Sequence, residues 1–188
     1  RQSGHGFGHA SRQIQVIRAL VQKRPTTRIV VKTSVPKWFF THNSLKGLEI
    51  DPIQTDTGVA QTDSLHIDVN QSIKQADTFQ KSIEHRVQTE AADLRARRAT
   101  LVVGDIPPLA CLAGARASIP TVAIGNFTWD WIYRGYALQY PQLGKYADYL
   151  SSIFACADLH LQCQPICHRK SSGILTSPVS RKFQKDPA

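Results

Sequence analysis

Residues 101–125 read LVVGDIPPLACLAGARASIPTVAIG, and this stretch decides the fold. It opens on LVVG and closes on TVAIG, the second run entered through Ile119-Pro120. Neither run alternates apolar with polar residues, which marks strands covered on both faces. Between them, residues 109–117 form an apolar segment of helical length. Strand, helix and strand in this order predict a parallel pair joined by a crossover.

Working outward, the same grammar repeats. Residues 28–32 (RIVVK) form another continuous apolar run, and residues 48–53 a further strand closed by the turn at 56–58. A helix is expected over 67–97, because Ile73, Ala76, Phe79, Ile83, Val87, Ala91 and Leu94 advance by threes and fours. Nearer the N-terminus, Ile14, Ile17, Leu20 and Val21 share one face of a helix over 10–23, which Pro25 ends. Weaker patterns predict a helix over 145–156 and a strand over 158–162, followed by a polar tail from 171 to 188. Alternating strands and helices imply an α/β fold, a Rossmann-like doubly wound parallel sheet. No internal repeat or low-complexity segment interrupts it.

Composition bounds the rest. A length of 188 residues fits one domain by the prior of about 100–200 residues. With 41% hydrophobic and 20% charged residues, a buried core is affordable and disorder is excluded. No apolar run nears the ~20 residues of a membrane span and no signal-peptide pattern opens the chain, so a cytoplasmic setting is expected. Lys and Arg number 23 against 14 Asp and Glu, a net charge of +9 that invites phosphates, nucleic acid or an anionic membrane surface. Nucleic acid is disfavoured, since the basic residues are scattered and not interleaved with aromatics. Methionine is absent, and Arg1 sits almost upon a Gly-rich turn that normally follows a strand; the chain reads as a fragment cut at both ends. Four sparse cysteines, with Cys111 and Cys156 in apolar helical contexts, read as buried thiols rather than a disulfide framework.

In doubly wound sheets, ligands bind beyond the carboxyl ends of the strands. Here that edge receives Gly4-His5-Gly6-Phe7-Gly8-His9, then Thr33 and Ser34, then Asp56-Thr57-Gly58, then Asp105, and finally Asn126 to Trp131. Glycines at a helix start let backbone N–H groups approach an anion. The spacing is G-x-G-x-G with His9 where a dinucleotide fingerprint needs glycine, and the next strand ends in Lys32-Thr33, so a nicotinamide or flavin cofactor is not expected. A neutral imidazole in that turn can take a proton from a hydroxyl, and works best when a buried carboxylate orients it. His9 or His5 is the candidate base and Asp105 the candidate carboxylate; the plainer reading makes His9 and Asp105 helix caps. Cys163-x₃-Cys167-His168 does not match zinc spacing, and no metal is expected. Histidines 42, 66, 85 and 160 sit in or beside ordinary elements. Trp129 and Trp131 read first as packing residues, with Asp130 between them beside the cleft.

SGHGFGHASR (3–12), VVGDIPP (102–108), GNFTWDWIY (125–133) and DTGVAQTDSL (56–65) together resemble a family of glycosyltransferase-like proteins. Its members occur alone in bacteria and as the N-terminal part of plant L-arabinokinases. More remotely, the chain resembles the N-terminal half of the GT-B glycosyltransferase fold. That resemblance implies an acceptor-binding domain over 1–177, an interdomain linker starting in 178–188, and a nucleotide-sugar donor held mostly by a C-terminal domain. It implies transfer of a hexosyl or N-acetylhexosaminyl unit to a hydroxyl, with inversion and without a cofactor, and an inactive isolated fragment. It also implies His9 as base and Asp105 as its partner, with Gly4, His5, Gly6, Gly8, Asn126 and Asp130 binding substrate. The wider class has proline three residues after this histidine, where Arg12 stands here. The alternative reading is a non-catalytic sugar- or nucleotide-binding module regulating a sugar kinase or a partner enzyme. A peripheral contact with an anionic membrane is a further expectation from the charge.

Overall fold

The computed structural model describes residues 7–42, 47–63 and 66–180, and its chain divides into two units. One comprises His5–Gln54 with Pro178–Ala188; the other comprises Thr55–Ser177 with Arg1–Gly4.

The first unit contains helix α1 (Gly8–Lys23), strand β1 (Val30–Thr33), helix α2 (Lys37–His42) and strand β2 (Glu49–Pro52). β1 and β2 pair in parallel, Val30 opposite Glu49 and Thr33 opposite Pro52. Ala10, Ile14 and Ile17, spaced at four and three, turn one face of α1 inward, where Phe39 and Phe40 of α2 complete a small core. Between His5 and Gln54 the chain carries eight Lys and Arg against two Asp and Glu.

The second unit opens with the long helix α3 (Val69–Ala96), whose N-cap Asp68 accepts a hydrogen bond from the Gln71 N–H at 2.8 Å. Strand β3 (Val102–Gly104), helix α4 (Pro108–Ala117) and strand β4 (Thr121–Gly125) follow, then helices α5 (Trp129–Tyr136) and α6 (Gln142–Phe154) and strands β5 (Leu159–Cys163) and β6 (Ile174–Thr176). The sheet order is β3-β4-β5-β6, all parallel. Gly114 lets α4 lie close against β4, because a Cβ there would collide with the Thr121 side chain. Ile106, Cys111, Trp129, Tyr133, Leu143 and Phe154 belong to the main core, with Ala76 of α3. Between Thr55 and Ser177 Lys and Arg number eleven and Asp and Glu eleven, so this segment is neutral and the excess charge lies outside it.

The fold is α/β and Rossmann-like, with parallel strands throughout the described sheets. Three elements depart from the expectations above. α2 and α5 lie where the sequence predicted no element, and β6 interrupts the polar tail. Cys111 is buried as expected, whereas Cys156 is exposed just past the end of α6. No described helix is long and apolar enough to cross a membrane.

Candidate functional site

Parallel strands β3, β4 and β5 end on one edge of their sheet, so the segments that follow them gather there. At the end of β3, Gly104 is required by closeness: a Cβ would stand 2.9 Å from Pro107 Cδ and 3.2 Å from Ala110 Cβ. Half-buried Asp105 follows. Next comes Ile106 at φ 55°, a left-handed conformation that β-branched residues rarely adopt. Ile106 is held there by burial, being only 2% exposed. Pro107, not Asp105, occupies the N-cap of α4 and makes no side-chain cap bond. The turn therefore carries Asp105 at the strand terminus, outside the capping position.

The end of β4 is built against this corner. A Cβ on Gly125 would meet Ile106 Cγ2 at 2.7 Å and the Phe127 carbonyl oxygen at 3.1 Å. Phe127 and Trp129 pack edge to face with ring centres 5.4 Å apart. Trp129 is buried, and its Nε1–H donates to Asp56 Oδ2 at 3.3 Å. One turn on, the buried Tyr133 hydroxyl donates to the Gly58 carbonyl at 2.7 Å. Two sequence motifs, Asp56-Thr57-Gly58 and the segment 125–133, are thus tied into one structure. Burial pushes the Tyr133 phenol above its ordinary value, although Thr57 opposes the shift. Trp131 stays 39% exposed, so of the two tryptophans Trp129 is the packing residue. Asp130 lies in the first turn of α5, and its Oδ1 is buried without a hydrogen-bond partner among the described residues.

Between the ends of β4 and β5 lies a pocket lined by Asn126, Thr128, His160, Gln162, His168 and Lys170 above an apolar floor that includes Ile106. A backbone bond from the Cys167 N–H to the Asn126 carbonyl, 2.8 Å, joins the two loops that wall it. Gln162 laces the far wall, donating from Nε2 to the His168 carbonyl at 3.0 Å and accepting from the Lys170 N–H at 3.2 Å. Burial, reinforced by the Lys170 charge, holds the His160 imidazole below its ordinary value; a bond with the Phe154 backbone and the Asp130 carboxylate pull the other way. None of His160, Gln162, His168 and Lys170 was expected from sequence. The signal was present, since His160 and Gln162 stand two apart on one face of a strand where apolar residues are the rule.

In the other unit, α1 starts at Gly8 behind Phe7, without a side-chain cap. Gly8 has open space where a Cβ would stand, leaving its backbone approachable. His9 is half-buried, and Arg12, one turn on, lies with a terminal guanidinium nitrogen 3.2 Å from its Nδ1. Guanidinium only donates, so Nδ1 is the acceptor in this contact and the proton of a neutral ring sits on Nε2. Phe7 stacks on Phe39 with centres 4.4 Å apart and meets the exposed Trp38 edge-on at 5.8 Å.

Of the expected site residues, Asn126 lines the pocket, Asp130 follows it on α5, and Asp105 closes the adjoining strand. Gly8 and His9 lie at the start of α1 in the other unit, while Gly4, His5 and Gly6 fall outside the described residues. Among the described residues no group of three or more His, Cys, Asp or Glu is placed to hold a metal ion.

No protein-family model matches the chain. Over 138 residues, 72% of its length, it is 36% identical to L-arabinokinase from Arabidopsis thaliana, and this stretch is 13% of that protein. Among solved structures, MurG from Acinetobacter baumannii matches 98% of the chain with a TM-score of 0.51 and 13% identity. The match covers 46% of the MurG chain, so this chain spans under half the length of either relative. At that identity the likeness to MurG speaks for the fold alone.

Proposed function

Because the chain belongs to the glycosyltransferase-like family related to the N-terminal region of L-arabinokinase, and shares its fold with the GT-B glycosyltransferase MurG, we propose that it is the acceptor-side half of such an enzyme. Residues 1–177 form that half in this reading, and 178–188 begin a linker. The nucleotide-sugar donor is held mainly by another part of the protein, and the acceptor presents a hydroxyl. One observation carries the proposal: the edge where Asp105, Asn126 and Asp130 gather is built from corners that admit only glycine at 104 and 125 and hold Ile106 in a rare conformation. Strain of this kind persists where the surrounding structure imposes it, and it clusters at binding and catalytic sites.

In the proposed reaction His9 takes the acceptor proton, Asp105 orients the ring and supports the imidazolium, and His5, Asn126 and Asp130 shape the acceptor pocket. Gly4, Gly6 and Gly8 offer backbone N–H groups to a phosphate or to the acceptor. Arg12 adds a condition. While its guanidinium occupies Nδ1, Nε2 keeps its proton and the ring cannot act as a base through that nitrogen. Release of Arg12, drawn off by an anionic substrate, frees Nδ1 to carry the proton, and Nε2 can then act as the base.

The test uses the full-length protein and a panel of nucleotide sugars. His9→Ala is expected to lower kcat by about 10²–10⁴-fold, the usual worth of a positioned base. Asp105→Asn should lose much of the same factor by favouring the wrong tautomer. KM for the donor should hardly change in either variant. The 188 residues alone should give no turnover. A stable His9→Ala protein with near-normal turnover would falsify the assignment. The second reading, a binding module of a sugar kinase, is favoured by the identity to L-arabinokinase. Saturable sugar or nucleotide binding by a wild-type protein that never transfers would select it.

A further inference from the structure

The pocket between β4 and β5 has a chemistry of its own. None of its lining side chains is a carboxylate, whereas Lys170, His160 and His168 all face it, with Asn126, Thr128 and Gln162 supplying neutral polar groups. Lys170 is half-buried, and no carboxylate pairs with its ammonium among the described residues. Thr128, at the N-cap of α5, also lines the pocket, and its hydroxyl oxygen accepts no cap bond from the helix. Both loops are braced, by the Cys167–Asn126 backbone bond and by the two Gln162 bonds, so the donors are held in place before any ligand arrives. Gly173 belongs to the same brace, because a Cβ there would press on Gln162 Oε1 and Cδ at 2.5 and 2.7 Å. Asp130 does not line the pocket; its field reaches His160 against that of Lys170.

We propose that this pocket is a phosphate site, with Lys170 supplying the charge, Thr128 donating to a phosphate oxygen, and Gln162 acting as the positioning residue. A phosphate presents three strong acceptor oxygens, and charge-assisted bonds to them are about twice as strong as neutral ones. Its bearer is a phosphorylated sugar or a nucleotide. The pocket shares Asn126 with the proposed acceptor side, but its test reads binding and not turnover, so the two readings fail separately.

Titration calorimetry on the full-length protein should use inorganic phosphate, a hexose 1-phosphate, UDP and an uncharged hexose as probes. Inorganic phosphate should bind and compete with whichever phosphorylated probe is the better fit. Stronger competition from the hexose phosphate identifies a sugar phosphate as the bearer, and stronger competition from UDP identifies a nucleotide. Lys170→Gln should weaken binding by about tenfold or more, as loss of a charged donor does. Gln162→Leu keeps every charge yet releases the 168–170 segment, and should also weaken binding. Lys145→Gln removes the same charge from the exposed face of α6 and should leave affinity unchanged. Ring-proton NMR shifts of His160 and His168 on adding phosphate give a readout in the unmutated protein. The proposal is overturned if Lys170→Gln binds phosphate like the wild type, if Lys145→Gln weakens binding as much, or if neither histidine ring responds.

Discussion

Two truncations at Ile106 separate what its side chain contributes from what its backbone costs. Both Ile106→Ala and Ile106→Gly empty a position that is 2% exposed, and losing that bulk should cost about 2–5 kcal/mol. They differ at the backbone, where φ is 55°. An L residue in the left-handed region pays roughly 1–2 kcal/mol, which alanine keeps and glycine escapes. Glycine returns about 0.4–1 kcal/mol of that through its freer unfolded chain. Glycine should therefore finish ahead by on the order of 1 kcal/mol, although in an ordinary helix or strand it trails alanine by roughly 0.5–1 kcal/mol. For a chain of this size the difference is about 2–4 °C in Tm. Thermal and urea unfolding followed by circular dichroism would measure it. Alanine equal to glycine, or more stable, would refute the argument that the corner after β3 is strained.

Tyr133→Phe removes the 2.7 Å bond to the Gly58 carbonyl and leaves that acceptor without its partner, which should cost about 1–3 kcal/mol; an unchanged melting temperature would show that the bond does not hold α5 to the 56–58 segment. Cys111 predicts an alkaline weakness, since burial pushes its thiol from 9.0 up to about 12. The unfolded thiol ionises first, so its stabilising contribution is full below pH 9 and is lost as pH rises toward 12. Each pH unit in that window costs on the order of 1.4 kcal/mol. Unfolding free energies measured from pH 8 to 10 should fall less steeply in Cys111→Ala than in the wild type, and parallel curves would dismiss the assignment.

How far the sequence could be read depended on where each element gets its stability. LVVG, TVAIG and the long stripe of α3 carry their period within the segment itself, and the structure places β3, β4 and α3 within a few residues of the expectation. α5 carries no such signal. Its segment WDWIYRGY includes a glycine, and its Trp129 and Tyr133 are fixed by Asp56 and Gly58, residues more than seventy positions away. β6 is three residues long, too short to show a period, and is a strand because its backbone pairs with β5. The position of Asp105 and Asn126 just past strand ends was legible, because parallel strands deliver their following segments to one edge. Lys170 and His168 were not. They follow a cysteine pair in a loop whose shape depends on the Gln162 side chain, a relationship that no spacing rule encodes.

The contact between Ile106 and Gly125 also gives this corner a direction in evolutionary time. While isoleucine holds 106, a side chain at 125 runs into its methyl group at 2.7 Å, whereas the Phe127 carbonyl at 3.1 Å asks only a small adjustment. Position 125 can diversify only after 106 has shrunk, and the reverse order passes through a clash. Lineages that explore new residues in the loop before α5 must therefore enter through 106, where each step also touches the turn that carries Asp105.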